Sequence, residues 1–368
     1  MLLHGQGGQG KTRLASHISR KWIDEGWLVL RAFGHDDRSY PEVIEIPWTD
    51  KNAGVLVVAD YAERWATTDL LTLLRDTAAP AGVPVRVILL SRSAGSWWQT
   101  LAYRLDRDLD VETDAIKLLP LGDTAGDRQE LFTAARDRFA ELLNVPDSED
   151  IPPPLTLDVD RNYGSVLTVH MSALAAVLGR MQGDNPPYKP VELSAFLLAR
   201  ERESWQTLYE HRRVTATPSA IAQTVYTATL TGPLNRPDGL AALRCADVES
   251  ILHPGQLIKD HAVCYPSQNT GMVLEPLYPD RLGEDFLALV TPGHNDSTYP
   301  ADPWAQDALI RLLTAESSDP VWLQPTWVDS ALNTLTEVAS RWPHIAALTG
   351  VGSLVSGRHR RPGVLFLI

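Results

Sequence analysis

Eight consecutive residues near the N-terminus, Gly5-Gln6-Gly7-Gly8-Gln9-Gly10-Lys11-Thr12, constrain the chain more than any other stretch. They match G-x-x-x-x-G-K-[ST] at every position. A loop that wraps phosphates must aim several backbone N–H groups inward, which requires glycines free to take positive φ. The Lys11 ammonium is spaced to reach the β- and γ-phosphates of a nucleotide, and the Thr12 hydroxyl to ligate Mg²⁺. Apolar Leu2-Leu3 ahead of the loop read as a strand. The run Arg13-Leu14-Ala15-Ser16-His17-Ile18 after it reads as a helix whose N-terminus favours an anion. Gly5 through Arg13 are therefore the candidate nucleotide-binding residues.

Further apolar runs follow at Trp27–Phe33, Val55–Asp60, Val85–Arg92 and Ala115–Leu119, with helical stretches from Thr12 to about Glu25 and from Asp69 to about Thr77. Fully apolar strands alternating with helices indicate a doubly wound parallel sheet, covered on both faces, over residues 1–122. From residue 123 the periodicity becomes helical. Leu131, Ala135, Phe139 and Leu142 form one stripe, and helices around Val166–Val177 and Val191–Arg213 complete a helical subdomain over 123–217. Residues 218–291 read as a winged helix, with a helix over Ala220–Leu230 and a ribbon made by Ala262–Tyr265 and Met272–Leu274. A polar linker and a helix pair, Ala305–Leu313 and Val328–Trp342, fill 292–368 and could open a repeat array.

Three residues extend the candidate site. Asp60 ends a buried strand placed beside the first one, where a carboxylate can hold the Mg²⁺ of a bound nucleotide. Glu63, three residues on, either polarises an attacking water or is a solvated loop acid, because Tyr61 stands where an acid directly after the aspartate would be. Arg92 ends the strand Val85–Arg92, where its charge would face and report a γ-phosphate. Trp97-Trp98 just beyond read as a packing anchor. His170 reads as a core histidine, His35, His253 and His261 have no metal-ligand spacing, and Cys245 and Cys264 read as small core residues.

The order of these features resembles the STAND class of signal-transduction ATPases, in the plan of NB-ARC and NACHT proteins. The segments Asp60-Tyr61-Ala62-Glu63 and Arg92…Trp97-Trp98 are most similar to actinobacterial-type regulators, and Pro276–Glu284 resembles the winged-helix end of such proteins. The resemblance implies an ATP- and Mg²⁺-binding switch that hydrolyses slowly, is closed with ADP, self-associates with ATP, and answers to a protein trigger and an effector. The chain departs from that pattern at Val166, near where the class carries a proline, and in having His261 but no Met-His-Asp triplet.

The bulk numbers narrow the rivals. A net charge of -13 argues against a broad nucleic-acid surface, and so against a DNA-binding regulator using the winged helix. The long helical tail argues against a metabolic phosphotransferase. Two cysteines cannot build a disulfide framework and suit a reducing cytoplasm. No apolar run reaches membrane-span length. The short first strand and the basic stretch Ser356–Gly363 point to a piece of a longer protein.

Overall fold

The computed structural model describes residues 1–32, 49, 51–76, 83–120, 125–267, 271–315 and 325–349. The chain divides into two compact units, Met1–Pro190 and Val191–Ile368.

The first unit is built on five parallel strands, β1 (Leu2–His4), β2 (Leu28–Ala32), β3 (Val55–Ala59), β4 (Val85–Ser91) and β5 (Ala115–Lys117), in the order β2-β3-β4-β1-β5. Alternate side chains leave opposite faces of each strand. Leu2, Ala59 and Leu89 join a cluster with Leu70, Leu71, Trp98, Leu101 and Leu105, from α2 (Thr67–Asp76) and α3 (Ser96–Leu109). Leu3, Leu56, Ile88 and Leu90 join Ala15, Ile18 and Trp22 of α1 (Lys11–Asp24) on the other face. This is the doubly wound P-loop α/β arrangement that the apolar strands dictate.

One expectation is corrected here. β4 lies between β1 and β3, so Asp60 does not end a strand adjacent to the first. Asp60 nonetheless stays within reach of Thr12, whose Oγ1 donates to it at 2.9 Å. A helix absent from the sequence reading, α3, starts at Ser96, and Trp98 anchors it as a buried core residue.

Beyond the sheet, α4 (Ala125–Leu143) packs on α5 (Val166–Gln182). The proline-containing segment between them is strapped down by two buried arginines. Arg136 donates to Ile151 O at 3.0 Å, and Arg128 donates to Leu157 O at 3.0 Å and Asp160 O at 3.1 Å.

The second unit is helical: α6 (Pro190–Glu210), α7 (Pro218–Thr231), α8 (Arg236–Ala246), α9 (Pro254–Cys264), α10 (Asp280–Val290), α11 (Pro303–Thr314), α12 (Val328–Ala339) and α13 (Pro343–Thr349). Helix α7 is its hub, buried from Gln223 to Thr231. Thr224, Thr227, Thr229 and Thr231 return their hydroxyls to carbonyls one turn back, which lets polar residues sit in the core. A winged-helix-like ribbon exists, but its strands are β6 (Leu234–Asn235) and β7 (Met272–Val273). Residues 262–264, expected in that ribbon, close α9 instead. His253 accepts from Gly255 N and Pro254 occupies the first turn, so the helix starts firmly. Leu257, Ile258 and His261 then bury one helical face. His35 and the basic stretch 356–363 lie outside the described residues.

Candidate nucleotide site at the strand tips

The loop from Gly5 to Gly10 leaves the end of β1 and enters α1. Its start is held against β4 by a hydrogen bond from Gly5 N to Ser91 O of 3.2 Å. Gly10 is the N-cap of α1, with φ 82°, and no side chain caps the helix's first turn. Lys11 folds back over the loop, with Nζ 2.6 Å from Gly5 O and 3.0 Å from Gln6 O. Gln6, Gly7, Thr12 and Arg13 are exposed, while Gly5 is buried.

Thr12 and Asp60 meet across the cleft, Thr12 Oγ1 donating to Asp60 Oδ2 at 2.9 Å. Asp60 Oδ1 accepts from Tyr61 N at 2.9 Å, in a turn where Tyr61 takes φ 51°. The pair offers one hydroxyl and one carboxylate, hard oxygen ligands of the kind Mg²⁺ takes when phosphates and water complete its shell. Among the described residues no cluster of three or more His, Cys, Asp or Glu forms a metal cage. Loop, lysine, hydroxyl and acid thus fit a Mg-nucleotide.

Glu63 and Arg92 also come together. Glu63 Oε1 accepts from the backbone N–H of Arg92 at 2.9 Å, and Glu63 Oε2 is buried with no hydrogen-bond partner. The Arg92 guanidinium lies against the loop: a Cβ built on Gly7 would be 3.7 Å from its Cζ. Neither sequence alternative for Glu63 described this tie. It spans 29 residues between two turns, and no local pattern announces such a pairing.

The residues flanking Val166 meet the loop. Gly8 O accepts from Leu167 N at 3.1 Å and from Ser165 Oγ at 3.3 Å, and Gln9 Nε2 donates to Gly164 O at 3.4 Å. Ser165 stands at the N-cap of α5 without capping it; its hydroxyl serves the loop carbonyl instead. Gly8 has φ +81°, and a Cβ there would meet Ser165 Oγ at 2.7 Å. A serine ahead of an apolar helix was the available signal, though it would ordinarily be read as a cap.

The histidines and cysteines have other tasks. His253 caps α9, and His261 is buried in the second unit, its pKa lowered to about 4 chiefly by desolvation. His170 is half-buried and lowered by the same cause. Burial pushes the Cys264 thiol up to about 11, so it is not a reactive thiolate.

No protein-family model matches the sequence, and no curated protein does. Among solved structures, similarity is loose. The Aeropyrum pernix ORC2 protein, in ADPNP–ADP complexes, has 16% identity and a TM-score of 0.34, with 84% of this chain and 87% of that chain covered. Drosophila ORC bound to DNA has 14% identity and a TM-score of 0.35, covering 74% and 76%. Cdc6p from Pyrobaculum aerophilum has 12% identity and a TM-score of 0.31, covering 92% and 87%. Superpositions this loose establish neither a common ligand nor a common partner.

Proposed function

We propose that the chain is a Mg-dependent ATP-binding switch of the STAND type, with slow hydrolysis and self-association in the ATP state. One observation carries the reading: the loop touches both the residues that would hold Mg²⁺ and triphosphate and the helix that would transmit their presence. Thr12 and Asp60 would hold the ion, which when bound neutralises phosphate charge. Lys11 would leave the carbonyls of Gly5 and Gln6 for the β- and γ-phosphates, and the loop N–H groups would orient them. Arg92, beside Gly7, would pair with the γ-phosphate. Gly8 would pass any loop rearrangement to α5 through Leu167 and Ser165. The choice of adenine and the switch behaviour rest on the resemblance of the motifs at Asp60–Glu63 and Arg92–Trp98.

A ligand shifts such an arrangement only by its differential affinity for the two states. The test is limited proteolysis with Mg-ATP against Mg-ADP, alongside calorimetry of both nucleotides. ATP is expected to bind and to expose cleavage sites within 146–160, because movement of α5 loosens the segment that Arg128 and Arg136 hold. Identical cleavage patterns with the two nucleotides would reduce the chain to a nucleotide-binding module without a switch.

A further inference from the structure

We infer that Glu63 is a positioning residue for Arg92, bracing the tip of β4 so that the guanidinium stays against the phosphate loop; this rests on the nucleotide reading above. The geometry forms a closed ring at the strand tips. Thr12 joins Asp60, and Asp60 fixes the Tyr61 turn through Tyr61 N. That turn runs into a short 3₁₀ segment, Ala62–Arg64, which carries Glu63. Glu63 Oε1 takes the Arg92 N–H at 2.9 Å, and the Arg92 side chain returns to Gly7. A disturbance at Asp60 therefore reaches Arg92 through the four residues Asp60–Glu63.

Two features favour a brace over a general base. A base must reach an attacking water. Glu63 Oε1 is engaged by a backbone amide, and Oε2 is buried away from solvent without a partner. The segment being braced is also built for a fixed position. Ser91 Oγ donates to Ser93 O at 2.8 Å, Trp97 Nε1 donates to Ser93 O at 3.1 Å, and Trp98 is sunk in the core one turn later. The chain leaving β4 is thereby fixed downstream of Arg92, and Glu63 fixes it at Arg92 itself.

A glutamine can accept the same N–H through its amide oxygen. It also places a neutral group, easier to bury than a carboxylate, where Oε2 now lies. Alanine and aspartate cannot reach. The experiment compares wild type with Glu63→Gln, Glu63→Asp and Glu63→Ala, reading the ratio of Mg-ADP to Mg-ATP dissociation constants by calorimetry and turnover by phosphate release. The Glu63→Gln variant is expected to keep the wild-type ratio within about twofold, since the charge-independent bond is retained. Glu63→Asp and Glu63→Ala are expected to weaken ATP about tenfold with ADP unchanged, a loss of one charge-assisted contact. Should Glu63→Ala not fold, Glu63→Asp carries the comparison. Introduced into Arg92→Ala, the same changes should have no further effect on the ratio. A Glu63→Gln variant that keeps its affinities but loses all turnover makes Glu63 the base and overturns the brace. So does an unchanged ratio in both Glu63→Asp and Glu63→Ala. Wild type that binds neither nucleotide removes the nucleotide reading itself, an outcome distinct from either.

Discussion

Two carboxylates, Asp60 in the first unit and Asp285 in the second, show how the same functional group is used for different ends. Asp285 is buried, and both of its oxygens accept hydrogen bonds. Ser194 Oγ donates at 2.6 Å, Arg281 Nε at 3.1 Å and Trp342 Nε1 at 2.9 Å, while Arg341 bridges it and Glu284. Burial pushes its pKa up, but Arg341 and then Arg281 outweigh that, so the carboxyl is held below its usual range. Among the described residues Asp60 has two hydrogen-bond partners, the Thr12 hydroxyl and the Tyr61 N–H, at the end of β3. A carboxylate saturated by its own chain holds helices together; one left with coordinating capacity at strand tips is available to a ligand.

The largest effect expected is on the architectural side. Asp285→Ala leaves Arg341 with Glu284 alone and takes the acceptor from the Ser194 hydroxyl and the Trp342 N–H, and should destabilise the second unit by about 3–5 kcal/mol, as removal of the buried partner of an ion pair does. Denaturant unfolding would measure it, with Asp60→Ala as the contrasting variant that lowers the unfolding free energy by no more than about 1.5 kcal/mol. Equal destabilisation by the two would erase the distinction.

Next in size is the ligand side. Lys11→Ala removes the point charge that the loop would present to the phosphates, and ATP affinity should fall at least about 100-fold, close to 3 kcal/mol. Calorimetry that finds equal affinity in wild type and variant places the nucleotide elsewhere. Gly8→Ala should be milder: holding an L-residue at φ +81° costs about 1–2 kcal/mol, and Ser165 and Leu167 must shift. The melting temperature of the first unit should drop, and the ATP-dependent change in cleavage of 146–160 should fade. An unaltered cleavage response would sink the idea that Gly8 passes a signal to α5.

Much of the first unit was legible in the sequence. Fully buried parallel strands are written as unbroken apolar runs, so β3 and β4 could be located to within a residue of their ends. The loop residues announced themselves because phosphate chemistry demands those types at that spacing. The ribbon was misjudged because Ala262-Val263-Cys264-Tyr265 is a short apolar run, equally compatible with a strand or a buried helix end, and the cap at His253 decided it. Contacts between distant turns left no trace at all. Glu63 to Arg92 N and Ser165 to Gly8 O join segments whose proximity depends on strand order, and β4 intervenes where β3 had been placed beside β1. The Asp285 network is hidden for the same reason: its partners come from α6, α10 and the segment after α12.

The last expected effect concerns pH, and it tests whether the second unit is as rigidly architectural as Asp285 suggests. His261 is 1% exposed, with Nε2 lacking a partner, a hydrogen bond to the Glu275 backbone, and the Tyr265 ring 5.3 Å away. Desolvation lowers its pKa to about 4, against about 6.5 for an unfolded histidine. Between those values the unfolded chain binds a proton that the folded chain refuses, so stability rises with pH through this window. The contribution is fully present above about pH 6.5 and is lost as pH falls toward 4, amounting to about 1–3 kcal/mol at the bottom of the window. Other groups titrate in both proteins, so the informative quantity is a difference. Urea midpoints of wild type should fall more between pH 7.5 and 4.5 than those of His261→Gln, which cannot take up the proton. Parallel pH profiles would mean that His261 takes up its proton as readily in the folded protein as in the unfolded chain, and therefore that water reaches the interior of this unit beside α9.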